Sequence, residues 1–220
     1  MNRFSCAAFV VAALISRTCL ADDAISMTCS FDKPEAEIAA IKAAGAPIKR
    51  NGKHELMLKA GGKTLFFRDK KPYDDVTEGG ISYRFCGYQG GFFLLSKQDS
   101  SAYSGVLINA QTGAVTAAGS RVFFSPDRHA FVAIEEPNCA DSESWKVYAP
   151  SGRLWWTGDN YISKAKSDSF FTIEKPVWTQ AGELTATANC SGIADENSWK
   201  VTLTKLNGEW SWQPYRECKP

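Results

Sequence analysis

The stretch from Asn138-Cys139 to Trp145-Lys146-Val147 returns as Asn189-Cys190 to Trp199-Lys200-Val201. Each copy runs into a short apolar strand, then a Gly turn, then a strand with paired Trp. Repetition of this kind constrains a chain more tightly than composition does. It describes one small unit, made several times and stacked on itself. Four segments share the order strand, turn, strand: Glu55–Phe67, Gly105–Ala118, Lys146–Trp156 and Lys200–Trp212. Their turns centre on Gly61-Gly62, Thr112-Gly113, Ser151-Gly152 and Asn207-Gly208. Glycine enters positive φ without a Cβ clash, and Asn-Gly is the clearest of these hairpin signals. The alternation Trp210-Ser211-Trp212 fits a strand with one buried face.

Two further phrases precede the later hairpins, Val122–Ile134 and Lys175–Thr187. Both read as strand, Pro- or Gly-bearing turn, strand. Joined to the hairpins they give units of about 40 to 55 residues, enough for four short strands. Phe124-Ser125-Pro126-Asp127-Arg128 resembles the Phe-Ser-Pro-Asp-Gly-type phrase of β-propeller blades, with Arg128 where that family usually has Gly. The resemblance covers roughly residues 80 to 212. It implies an all-β fold of antiparallel four-stranded repeat units in a small or incomplete β-propeller-like arrangement. The uneven spacing of the turn glycines leaves an ordinary antiparallel sandwich or a curved meander as the alternative.

One helix is expected near 34–46. Asp32 caps it, Pro34 suits an early position, and Glu35 and Glu37 suit its N-terminal end. Ile38 and Ile41 are three apart and share a face; Gly45 and Pro47 stop it. Packing over a sheet edge would protect otherwise open strand hydrogen bonds.

Residues 1–21 read as an export signal: Arg3, an apolar run from Phe4 to Ile15, then Leu20-Ala21 before Asp22-Asp23. The run falls short of a membrane span. Residues 22–220 are then a single all-β repeat domain, in the periplasm or secreted. Losing 1–21 removes Arg3, Arg17 and no acid, which takes the net charge from +1 to −1. That balance argues against a nucleic-acid partner and against a polybasic membrane anchor.

Cys29, Cys86, Cys139, Cys190 and Cys218 remain, enough for two disulfides and one free thiol in an oxidising compartment. Cys139 and Cys190 hold equivalent repeat positions and are expected to pair. Cys29 with Cys218 would tie the two ends together and leave Cys86 free; Cys29 with Cys86 is the competing arrangement.

Catalytic and metal signatures are not evident. His54 and His129 are the only histidines, and no ligand spacing surrounds them. Ser125, Asp127 and His129 are too local for a nucleophile, base and orienting acid; Pro126-Asp127 reads as a turn. Gly90-Gly91 lacks the continuation of a phosphate loop. No cofactor is implied.

Loops carry the informative polar residues. Glu136, Asp141 and Glu143 lie in one acidic loop, Asp195 and Glu196 in its repeat equivalent, and Asp99 and Tyr103 in the earlier one. Equivalent loops of a repeat fold collect on one rim, where acids and aromatics would meet a basic protein surface. Asp69 and Tyr73 sit in a second charged loop and Tyr161 begins a third. The expected function is a non-catalytic protein-binding module, in its concrete form a periplasmic inhibitor or immunity protein that occludes a cell-wall-degrading enzyme. The overall look is similar to periplasmic immunity proteins that neutralise secreted peptidoglycan amidases. The alternatives are a carbohydrate or peptidoglycan binder, marked by exposed Trp, and an exported hydrolase, marked by a histidine in a concave pocket beside a Ser, Cys or acid.

Overall fold

The computed structural model describes residues 25–29, 34–73, 79–100, 102–135, 142–163, 170–190 and 198–218. β1 (Ser26–Thr28) and helix α1 (Pro34–Ala44) come first. β2 (Ile48–Arg50), β3 (Glu55–Ala60) and β4 (Lys63–Arg68) make the first sheet. The second holds β5 (Ile81–Gln89), β6 (Phe92–Asp99), β7 (Ala102–Asn109) and β8 (Val115–Ala118). The third holds β9 (Arg121–Phe124), β10 (Phe131–Glu135), β11 (Ser144–Tyr148) and β12 (Leu154–Asp159), with β1 added beside β9. β13 (Tyr161–Ser163), β14 (Phe170–Trp178), β15 (Leu184–Cys190), β16 (Ser198–Leu206) and β17 (Glu209–Gln213) form the fourth. Every pairing is antiparallel among the described strands. The fold is all-β and propeller-like, and the four repeated hairpins are the last two strands of the four sheets.

The sheets stack in series. Ile48, Leu56 and Leu58 of the first meet Phe85, Phe93, Leu95 and Ile108 of the second. From the second sheet's other face, Phe92, Leu94 and Leu107 meet Val122, Phe124 and Phe131 of the third. Val132, Ile134, Trp145 and Val147 then face Phe171, Ile173, Val201, Leu203 and Trp212 of the fourth. Thus β6 and β10 are buried on both faces, and neighbouring residues serve different cores. Three cores join four sheets among the described residues, so the series is open. The last sheet turns Thr172, Thr187, Lys200 and Thr204 outward.

The two Trp-Lys-Val copies occupy corresponding strands, β11 and β16, but point at each other across one core instead of serving successive ones. The Asn207-Gly208 turn has φ of 51° and 92°, the left-handed pair that a two-residue hairpin needs. Gly119 is fixed by crowding: a Cβ there would run into the Ile134 carbonyl.

The cysteines take the competing arrangement for Cys29 and correct the expected Cys139–Cys190 and Cys29–Cys218 pairs. Cys29 bonds Cys86, and Cys190 bonds Cys218. Cys29 follows β1 directly, and β1 lies in the third sheet beside the core shared with the second, so its nearest cysteine is Cys86 on β5. The chain end after β17 returns along the fourth sheet, where Trp199 donates to the Pro214 carbonyl at 3.0 Å and Cys218 reaches β15. Cys139 lies outside the described residues.

Helix α1 also differs from expectation. Its inward positions are Glu37, Ala40, Ile41 and Ala44, while Ile38 is 71% exposed. Spacing three apart allowed Ile38 and Ile41 one face, but Glu37 is needed inside (below) and turns Ile38 outward.

Arg128 has φ of 57°. Arg128→Gly is expected to raise the unfolding free energy by about 0.5–1 kcal/mol, because a Cβ is disfavoured there. Denaturant unfolding checks it. The Cys29–Cys86 bond closes a 57-residue separation. Replacing both cysteines by Ser is expected to lower stability by about 2–4 kcal/mol, read in the same assay.

Candidate functional site

β5 is an edge strand, and its outward backbone groups belong to Ile81, Tyr83 and Phe85. Left open, such an edge recruits foreign strands. Here it is capped by side chains and one bridge. Lys70 and Ile81 exchange backbone hydrogen bonds of 2.8 and 3.1 Å. The Tyr83 N–H donates to Asp69 Oδ1 at 2.8 Å, and its carbonyl accepts from the Arg50 guanidinium. The Phe85 N–H donates to Glu37 Oε1 at 2.8 Å. Arg50 Nη2 holds the same carboxylate at 2.9 Å. Helix α1 therefore covers a sheet edge as expected, and does so through one acid.

Beside this edge lies a cleft of about 290 Å³. His54, Asp69 and Tyr73 form one wall; Ser82, Arg84 and Gln98 form another, with Arg50 and Lys53 at hand. His54 and Asp69 are the next pair beyond the Glu55↔Arg68 rung of the β3–β4 hairpin. His54 Nδ1 is 3.3 Å from Asp69 Oδ2, and the Asp69 N–H donates to the His54 carbonyl at 2.9 Å. The Tyr73 ring stacks on His54 with centroids 3.8 Å apart and planes 14° off parallel. With Nδ1 donating to the acid, Nε2 is the acceptor of the neutral ring. The cleft thus offers an oriented imidazole, a hydroxyl and cations to a polar group entering it.

The structure sorts the sequence-derived residues clearly. Asp69 is turned inward, its side chain 10% exposed, and works as a clip. Tyr73 is 41% exposed at the cleft. Asp99 pairs with Ile81 across β5 and β6 and accepts from Lys97 Nζ at 2.6 Å, so it lies in the row continuing from Lys70. Tyr103 pairs with Gln98 at the same end of the second sheet. Glu143 is an internal acceptor, bonded by Trp145 Nε1 at 3.0 Å and ion-paired with Arg121. Tyr161 lies on β13, exposed, and is not among the residues lining the cleft. Glu136, Asp141, Asp195 and Glu196 lie outside the described residues.

Ser125, Asp127 and His129 form a turn. Ser125 Oγ donates to Asp127 Oδ1 at 2.6 Å and accepts the Ala130 N–H at 3.0 Å. The Ser125 hydroxyl, then the His129 N–H, hold the Asp127 carboxyl below its ordinary range. The His129 side chain is 83% exposed. Sequence reasoning missed Glu37 and Arg50 as partners of one edge and His54 as the partner of Asp69; only the β3–β4 register pointed at His54.

Asp69→Ala strands the Tyr83 N–H and is expected to cost about 1–3 kcal/mol. Asp69→Asn keeps an acceptor oxygen and should lose less. Unfolding curves and amide exchange at Tyr83 measure both.

Among the described residues no group of His, Cys, Asp and Glu is placed to hold a metal, and no helix is long and apolar enough to cross a membrane. No protein-family model, curated protein or solved structure matches the chain.

Proposed function

We propose that this chain is an exported, non-catalytic protein-binding module, most concretely a periplasmic inhibitor or immunity protein that occludes the active cleft of a cell-wall-degrading enzyme. The observation that carries this reading is the fixed segment Asp69–Tyr73. Asp69 is bonded through its backbone and its side chain, Lys70 bridges to Ile81, and Tyr73 is stacked on His54. An exposed aromatic beside Lys70 and Lys71, already held in one shape, loses little entropy on docking. Aromatic anchors in such settings supply much of an interface's affinity. Two disulfides suit an oxidising compartment.

One observation favours a second reading. His54 sits in a concave cleft beside an acid and Ser82, the arrangement expected of an exported hydrolase. In that reading Asp69 orients His54, and Ser82 is the nucleophile.

The mature protein, mixed with a panel of purified secreted peptidoglycan amidases and lysozymes, separates the two. Inhibition of one enzyme through a stable complex, weakened about tenfold or more by Tyr73→Ala, is the expected result. If no enzyme is inhibited while the protein itself cleaves peptidoglycan, and Ser82→Ala abolishes cleavage, the hydrolase reading replaces it. If neither inhibition nor cleavage occurs, both readings fail.

A further inference from the structure

The third and fourth sheets part at one end of their shared core, and indoles line the gap. Trp155 and Trp156 come from β12, Trp178 from β14 and Trp210 from β17, around a volume of about 210 Å³. All four are partly exposed. Glu183, on the β14–β15 turn, completes the lining.

Two β-bulges build this gap. On β12, Trp156 pairs with Val147 and Leu154 with Tyr148, so Trp155 is an extra residue with no partner of its own. Regular alternation sends neighbours to opposite faces; the bulge lets Trp155 and Trp156 line one space. On β14, Glu174 pairs with Thr187 and Val177 with Thr185, which leaves Lys175 and Pro176 opposite Ala186 alone. Glu174 and Lys175 both face out, and the phase of the strand reverses. Ile173 lies inward, so unbroken alternation would bury Val177. Instead Val177 is exposed and Trp178 turns in. Lys175 adopts φ of 53° at this point, a conformation unfavourable for a residue with a Cβ. The Trp178 indole is then locked by donating to the Phe123 carbonyl at 2.9 Å. One strand in each of the two facing sheets thus breaks its pairing, and each break delivers an indole to the same space. Bulges commonly re-aim side chains next to binding sites.

The polar groups define the occupant. Glu183 supplies carboxylate acceptors. Lys205 does not line the gap but stands directly opposite Trp210 in the β16–β17 register, an exposed ammonium beside the lining. Indole faces with an acid at one side and a basic neighbour suit an uncharged ligand rich in hydroxyls. Trp155 Nε1 is buried within the wall itself and lacks an acceptor. The volume lies below the roughly 300 Å³ of ordinary small-molecule pockets, so it admits about one ring. We propose that this gap is a glycan-binding site that takes a single pyranose ring, C–H faces against the indoles and hydroxyls toward Glu183 and Lys205. It shares no residue with the His54 cleft and stands whether or not the protein-binding reading holds.

The test is titration of the full mature protein, followed by tryptophan fluorescence, with a soluble N-acetylglucosamine oligomer and with a cellulose oligomer. A saturable change with at least one sugar is expected. Trp178→Ala should weaken it about tenfold or more. Glu183→Gln, at an exposed turn where folding is not at stake, should weaken it about threefold or more through the lost charge-assisted bond. If Trp178→Ala does not fold, Glu183→Gln decides. No saturable response to either sugar, a response only to tetramethylammonium or to an apolar dye, or wild-type affinity in Glu183→Gln overturns the proposal.

Discussion

An edge strand carries a row of backbone donors and acceptors that water, another strand or side chains must satisfy. β5 meets this demand with Asp69, Arg50 and Glu37, plus the Lys70 bridge. Those groups come from the β4 end, from β2 and from α1, so one edge binds the helix and the first sheet to the second. The carboxylates are acceptors placed at amide donors, and charge-assisted bonds of this type are the stronger kind. The same acid that caps Tyr83 also positions His54, which in turn holds Tyr73. The cleft is therefore a by-product of edge protection: the groups that close the strand are those that shape its walls.

The serial stack follows from β6 and β10. Phe92-Phe93-Leu94-Leu95 and Phe131-Val132-Ala133-Ile134 are buried at every position. A strand with one solvated face alternates; a strand between two layers does not. Each of these runs therefore demands a sheet on both sides, which makes the second and third sheets interior layers and the first and fourth end layers. The outward threonines of the fourth sheet fit that assignment, since a Thr face tolerates water and retains strand propensity. The Cys29–Cys86 bond spans the two interior layers, and Cys190–Cys218 secures the far end.

Much of this was legible in the chain. The glycine turns located the hairpins, because positive φ at paired positions leaves few residue choices. Once Gly61-Gly62 is taken as a two-residue turn, each rung follows in order from Ala60↔Lys63 to Glu55↔Arg68, and His54 opposite Asp69 is the next step. What local pattern does not encode is which sheet meets which. Repeat equivalence suggested that Cys139 and Cys190 were neighbours, yet Cys190 is taken by Cys218, because the chain end folds back along its own sheet. The burial of Trp145 and Trp199 in one shared core was hidden for the same reason: strand position repeats, but the direction in which a face is buried depends on the layer beside it. Glu37 was read as a helix-end charge, since nothing in the helix reports an amide fifty residues away needing an acceptor; the Phe85 N–H is 48 positions on.

Both candidate sites lie where regularity fails, and the two failures differ in kind. At β5 the ladder ends, and polar side chains replace the missing strand. At β12 and β14 the ladder continues but gains a residue, and apolar rings are redirected. Strain at Lys175 and the unmet Trp155 donor are departures from local rules, and the indoles involved also pack against the core of Val132, Ile134 and Trp145. Departures of that sort concentrate at sites kept for something other than folding. The edge cleft shows no comparable strain at the groups that build it: its carboxylates improve the fold they sit in. Selection for stability alone accounts for the Asp69 and Glu37 contacts, whereas the positive φ at Lys175 is the departure that the proposed indole site would explain.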